Sequence, residues 1–378
     1  MHKLTIVAVA LLALVMKTLH DANFFTILVP HSAGVCSILP TSTSFRGVED
    51  IHSSGDGSFF VATSDDRHLW MNSAGNFAGN EIEAVRISKM RSTNDDLQGK
   101  LLLGVGSIVS NLKLIYYPWA DFHPHGIYLL EIPDSLPRVF VVNHRSSSDG
   151  KKNIESVSIF DLDLDQQTAR YVRDITDKNF RSINDVVVSG TEMWVSNWRF
   201  YPPEKFFHMV EIYLQRSWGY VVRCDLNRSG ECTIAIPPGQ VAMANGLMLK
   251  NDKLFVAGSV GKNVLEFVIV EDRNAKLSRT FALDLLPDNL SLAPNNLLVV
   301  AGHPKGLAFQ AHAKNPHNVP CPCSVKTIDL KTGETETIHT SEGGDPISAC
   351  TVGVLMGDEL LMGSVYDSGI ALCTGYKK

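Results

Sequence analysis

No tract of clustered Lys and Arg occurs in the 378 residues, and the formal net charge is −6, from 34 Lys+Arg against 40 Asp+Glu. Nucleic-acid binding needs grouped cations to neutralise phosphates, so that class of partner is excluded. No apolar run reaches the ~20 residues of a membrane-spanning helix. The longest, Leu4 to Met16, has 13. Charged residues make up only 20% of the chain and hydrophobic ones 44%, which excludes disorder and a multi-span membrane protein as global readings. What the chain does have is turn formers: 28 Gly and 17 Pro, as expected of an all-β protein.

The run Leu4–Met16, flanked by Lys3 and Lys17, has the length of a signal-peptide core. A small-x-small cleavage site is missing after it, since His20-Asp21-Ala22 carries a bulky residue where a small one is needed. Residues 1–22 are therefore expected to be a signal or anchor segment, uncleaved, that sends the chain into the secretory pathway. It would end extracellular or membrane-anchored on the lumenal side, with 23–378 forming a single domain. Seven cysteines fit that compartment. Cys224 and Cys232 flank the turn in CDLNRSGEC and can bridge a hairpin; Cys321, Cys323 and Cys350 have no evident partners, and the odd count leaves at least one thiol free or intermolecular. Asn227 begins a sequon in that turn and is expected to carry glycan.

One pattern recurs six times: a polar start, an apolar alternation, a turn, and a second apolar strand ending in small or polar residues. It begins at Glu49, His125, Asn184, Asn245, Asp288 and Thr351. Turn residues stand where a hairpin needs them, as in Gly55-Asp56-Gly57, Gly190, Asn251-Asp252, Asn295-Asn296 and Gly357-Asp358. Six such hairpins, each with room for two more strands, predict a six-bladed β-propeller. The competing expectation is ordinary hairpins in a two-domain β protein. A propeller ring needs closing, and a Cys36–Cys373 disulfide is the preferred bridge because it ties the first strand to the last.

In antiparallel hairpins the start of the first strand and the end of the second lie at the same end. The starts carry Glu49-Asp50, His125, Asn184-Asp185, Asn245 and Asp288-Asn289, and the ends carry His144, Asn197 and His303. Carboxylates, amides and imidazoles thus converge on one rim of the channel. Four crowded carboxylates need a cation. Amide and carboxylate oxygens without thiols suit Ca²⁺, which takes 6–8 oxygen ligands, and the paired dipeptides suggest more than one ion. Alternatively, these Asn and Asp are simply turn formers at strand starts.

These residues resemble the paraoxonases, the serum paraoxonase/arylesterase family, over about Cys36 to Cys373. The matching segments are Gly47-Val48-Glu49-Asp50, Phe122-His123-Pro124-His125-Gly126-Ile127, Val141-Val142-Asn143-His144, Ile183-Asn184-Asp185, Ala244-Asn245-Gly246, Asp288-Asn289-Leu290-Ser291 and Gly302-His303-Pro304. The resemblance implies a six-bladed propeller with two central calcium ions. It implies a catalytic ion on Glu49, Asn184, Asn245, Asp288 and Asn289, and a structural ion on Asp50, Asp185 and the carbonyl of Ile127. The Cys36–Cys373 bridge is likewise a family feature. The implied activity is hydrolysis of lactones and aryl esters, and weakly of organophosphate triesters, with His125 as base, His144 as its partner, and His303 and Asn197 in the substrate pocket.

The chain departs from the family after Asn197, where Trp198-Arg199 replaces Asp-His. The loop around Arg67 to Trp70 aligns poorly. A short lid or interface helix over 204–218, rich in aromatic residues, is expected to meet lipid together with the N-terminal segment, to pack flat over the channel, or to do both. The alternative is a membrane-anchored relative that assists assembly of membrane proteins without catalysis; a sugar lactonase is a third reading. The stretch His312-x4-His317-x3-Cys321-x-Cys323 only superficially suggests zinc.

Overall fold

The computed structural model describes residues 2–39, 45–64, 100–105, 108–119, 122–146, 153–201, 207, 210–211, 214–227, 231–270, 274–293 and 296–376. Helix α1 (His2–Asp21) leads into six antiparallel blades. Blade one holds β2 (Val48–Ser53), β3 (Phe59–Ser64), β4 (Lys100–Val105) and β5 (Ile108–Asn111). Blade two holds β7 (Pro124–Leu130), β8 (Arg138–Ser146), β9 (Asn153–Asp163) and β10 (Thr168–Ile175), with the short β6 (Lys113–Ile115) added in parallel at its outer edge. Blade three holds β11 (Ile183–Ser189), β12 (Glu192–Asn197), β13 (Gly219–Asp225) and β14 (Glu231–Val241). Blade four holds β15 (Ala244–Lys250), β16 (Lys253–Gly258), β17 (Asn263–Ile269) and β18 (Ala275–Ala282). Blade five holds β19 (Leu286–Ala293), β20 (Leu297–His303), β21 (Cys323–Asp329) and β22 (Thr335–Ser341), with helix α2 (Gly306–Lys314) inserted after β20.

Blade six joins strands from the two ends of the chain. Its inner strands β23 (Cys350–Met356) and β24 (Glu359–Ser364) are followed by β25 (Ala371–Thr374), and the outermost place is taken by β1 (Val35–Ile38) from the N-terminal side. Cys36 lies opposite Cys373 in the β1–β25 ladder and is disulfide-bonded to it, so the expected closure is present.

The six expected hairpins are the inner pairs β2–β3, β7–β8, β11–β12, β15–β16, β19–β20 and β23–β24. Their first strands line the axis, each touching its neighbour round the ring back to β23 and β2. Second strands are sandwiched between blades and read as unbroken apolar runs; Leu297–His303 is buried at every position. The core is correspondingly divided into six hydrophobic clusters, one in each seam between adjacent blades. A fully buried phenylalanine such as Phe140 or Phe160 contributes about 2 kcal/mol there by area alone. The tight turns use residues that tolerate a left-handed backbone, Asn251 at φ 55° and Asn296 at φ 66°.

Helix α1 ends at the rim beside α2. The Ala22 carbonyl accepts the Gly306 N–H at 2.9 Å, and Asn23 Nδ2 donates to the Asp284 carbonyl at 2.7 Å. No helix among the described residues is long and apolar enough to cross a membrane.

Candidate active site and cation cradle

The polar starts of the inner strands are not in regular ladders. On β2, Val48 pairs with Ser64 and Ile51 with Ala62, so Glu49 and Asp50 together face one residue. The same extra residue recurs at His125-Gly126 on β7, Asn184-Asp185 on β11, Asn245-Gly246 on β15 and Asp288-Asn289 on β19, and a similar slip falls at Thr351 on β23. A bulge bends the strand and re-aims its side chains, which is how paired residues both come to serve the channel. It also frees ladder amides, and hydroxyls across the hairpin satisfy them: Asp50 N–H donates to Thr63 Oγ1 at 3.3 Å and Asp185 N–H to Ser196 Oγ at 3.0 Å.

Two glycines set how closely the blades meet. A Cβ on Gly126 would lie 2.5 Å from the Asn184 carbonyl oxygen, and one on Gly246 would lie 2.5 Å from that of Asp288. Each glycine follows a site residue, so the next blade's site residues can press against its backbone.

The oxygen set is buried and interlocked. Asn289 Nδ2 donates to the Glu49 carbonyl at 3.0 Å and to Glu49 Oε1 at 3.1 Å, and Asn245 Nδ2 donates to Asp288 Oδ1 at 2.5 Å. Asn184 Nδ2 lies 3.1 Å from His125 Nε2. In all three asparagines the amide nitrogen is engaged while the buried Oδ1 has no hydrogen-bond partner. Three orphaned amide oxygens beside the Glu49 and Asp288 carboxylates fit a hard cation: unsatisfied buried acceptors are costly, and oxygen donors without thiols are what calcium takes.

Asp50 Oδ2 accepts the Ile127 N–H at 2.9 Å and Asp185 Oδ2 accepts the Leu247 N–H at 2.6 Å, each carboxylate reaching the following blade. Burial pushes both carboxyls well above the usual range; for Asp50 the charges of Asp185 and Glu49 add to the effect, and for Asp185 those of Glu49 and Asp288. Carboxylates so raised are poorly compensated by protein alone.

The histidines form a second cluster. His125 Nδ1 lies 3.0 Å from His144 Nε2, and His125 Nε2 lies 3.3 Å from Glu49 Oε1. His144 Nδ1 donates to Glu155 Oε2 at 2.8 Å, a partner that motif reading missed. The only signal for it is the long β8–β9 ladder, in which His144 and Glu155 are opposite. His303 Nε2 lies 3.1 Å from Asp288 Oδ2, and its ring is stacked on Phe309 of α2 at 3.8 Å, another contact the repeat could not foretell. Asn197 is fully buried: its Oδ1 accepts the N–H groups of Arg181 and Ser182, while its Nδ2 has no partner.

The remaining expectations divide. Cys224 and Cys232 are bonded across the β13–β14 pair, and Cys323 is bonded to Cys350 between blades five and six. Cys321 is the free thiol, buried and pushed up to about 12. With Cys323 oxidised, the zinc-like stretch has no metal-binding thiolate pair. Arg199 lies over the Trp198 ring at 3.3 Å. Of the stretch 204–218, residues 204–206, 208–209 and 212–213 lie outside the described residues, as does Arg67–Trp70; Phe207 is half exposed and Glu211 is buried, accepting the Phe200 and Tyr201 N–H groups. Asn227 is exposed in its turn, and the rest of its sequon lies outside the described residues.

The family model described as Arylesterase matches residues 109–373. Serum paraoxonase/arylesterase 2 of Bos taurus is 27% identical over 252 residues, 65% of this chain and 67% of the relative. Serum paraoxonase/lactonase 3 of Oryctolagus cuniculus is 26% identical over 253 residues, with the same shares. Among solved structures, a luciferin-regenerating enzyme superposes with a TM-score of 0.54 at 12% identity, covering 90% of this chain and 95% of that one, a likeness of fold alone.

Proposed function

The chain belongs to the arylesterase family, and from that premise we propose that it is a calcium-dependent hydrolase of lactones and aryl esters, with weak activity toward organophosphate triesters. The observation that carries the reading is the contact between the two clusters: His125 Nε2 lies within 3.3 Å of Glu49 Oε1 and 3.1 Å of Asn184 Nδ2. A base therefore stands against the oxygen cradle, the juxtaposition that hydrolysis needs and that a merely structural ion site does not.

Glu49, Asn184, Asn245, Asp288 and Asn289 would hold the catalytic ion, and Asp50, Asp185 and the carbonyl of Ile127 a structural one. Bound calcium supplies a Lewis acid for the ester carbonyl and a countercharge for the oxyanion. His125 takes a proton from the attacking water and hands one to His144. His303, held between Asp288 and Phe309, and the unspent Nδ2 of Asn197 line the pocket. The small-molecule ester is the partner of this site. The N-terminal segment and the 204–218 stretch are assigned to lipid contact, the chain to the secretory route, and glycan to Asn227.

The test is turnover of phenyl acetate and of γ- and δ-lactones by the purified chain, beside His125→Gln. General-base catalysis contributes about 10²–10⁴-fold, so the variant should lose at least about 100-fold in kcat with its fold intact. A folded, calcium-loaded protein without turnover on any of these esters would overturn the reading in favour of a non-catalytic, membrane-anchored assembly factor.

A further inference from the structure

A proton that reaches His144 needs a countercharge, and a carboxylate lies within reach of it. Glu155 stands directly across the β8–β9 ladder from His144, and its Oε2 lies 2.8 Å from His144 Nδ1. The same oxygen accepts the Ile183 N–H at 3.3 Å, at the start of the strand that carries Asn184. Glu155 is thus fixed from two sides, by its own blade and by the next, with its side chain only 13% exposed.

A carboxylate accepts and never donates when ionised, so its contact requires the proton of neutral His144 to be on Nδ1. His144 Nε2 is then a lone pair and must accept from His125 Nδ1–H across 3.0 Å. His125 Nε2 is in turn a lone pair, and the group 3.1 Å from it, Asn184 Nδ2, is a donor. Each of the three contacts along the row Asn184, His125, His144, Glu155 has one donor and one acceptor in this arrangement, and Glu49 Oε1, 3.3 Å from His125 Nε2, is the one neighbour it leaves facing a lone pair. Reversing His144 would set its Nδ1 lone pair against the Glu155 carboxylate, and reversing His125 would set two ring lone pairs against each other.

We infer that Glu155 is a positioning residue that locks His144 in the Nδ1–H tautomer and makes the histidine pair a one-way proton relay, an inference that deepens the hydrolase reading and rests on it. When His125 Nε2 takes a proton from water, the Nδ1 proton of His125 moves to His144 Nε2. Hydroxide adds to the ester carbonyl. His144 becomes an imidazolium that keeps its Nδ1–H on Glu155, and the carboxylate balances the charge. The acyl C–O bond then breaks, and the departing alkoxide takes the proton back from His125 as His144 returns its own along the same row. No atom of Glu155 touches substrate. The logic is that of a buried acid behind a catalytic imidazole, assembled here from the ladder partner of the histidine.

Two measurements test it. In the intact, 15N-histidine-labelled chain, ring nitrogen shifts assigned by their loss in His144→Gln should show His144 as the Nδ1–H tautomer. In Glu155→Gln the amide oxygen can keep both bonds that Oε2 makes, so folding and tautomer survive while the countercharge is lost. There kcat should fall about 100-fold, within the range of general-base effects, with KM changed by no more than about threefold. His144 protonated on Nε2 in the unaltered protein, or Glu155→Gln within about twofold of its kcat, would overturn the inference. If the unaltered chain hydrolysed nothing, the hydrolase reading would fall, and the ring shifts of Glu155→Leu, which removes the acceptor, would still decide whether Glu155 sets the tautomer.

Discussion

Asn245 of blade four donates from Nδ2 to Oδ1 of Asp288 in blade five at 2.5 Å, and this bond turns the partnerless Asn245 Oδ1 away from Asp288. This bond ties two blades together and, with a second from the same Nδ2 to Ser259 Oγ at 3.1 Å, orients the oxygen proposed as a calcium ligand. Replacing Asn245 by Leu keeps the volume and removes both functions. Calcium affinity, measured by titration of the chelated protein, should fall at least about 10-fold, as for loss of groups that orient metal ligands. Unchanged affinity would exclude Asn245 from the cradle.

The raised carboxyls of Asp50 and Asp185 predict how calcium and pH act together. A carboxyl whose folded value is raised supports the fold below the ordinary carboxylate range and loses that support as pH rises through the raised value. The chelated protein carries this loss. The loaded protein does not, because the ion favours the ionised form. His52 and His339, buried and pushed down to about 4, cost both forms stability alike as pH falls from about 6.5 through that value. The gap in melting temperature between loaded and chelated protein should therefore widen from pH 5 to pH 8. A gap that narrowed would contradict the account.

The closing disulfide should outweigh the hairpin one. Cys36–Cys373 spans 337 residues and Cys224–Cys232 spans 8, and loop-closure entropy gives about 6 kcal/mol for the first and about 2.5 kcal/mol for the second. Denaturant unfolding of Cys36→Ser/Cys373→Ser beside Cys224→Ser/Cys232→Ser would check the order. Equal losses would show that the β1–β25 ladder closes the ring without covalent help.

The hairpins are legible in the sequence because each couples period-two alternation to a turn such as Asn251-Asp252, and their polar starts stand at fixed places in that pattern. The bulges at Glu49-Asp50, Asn184-Asp185 and Asp288-Asn289 were not, since one extra residue on one strand leaves no trace in periodicity. Cys323–Cys350 was hidden for a related reason: it joins strands of different blades, and which cysteines meet depends on the seam between them. Glu155 meets His144 through a register nine pairs long, which a single chain does not spell out. The family motifs name the residues that converge. What they leave out is what holds those residues in place.

The most direct test of the account is calcium titration of the chelated protein with ion binding and aryl-ester turnover followed together. The account predicts two bound ions per chain, with turnover absent from the chelated protein and restored as the cradle of Glu49, Asn184, Asn245, Asp288 and Asn289 fills. Full turnover in the chelated, ion-free protein would contradict it.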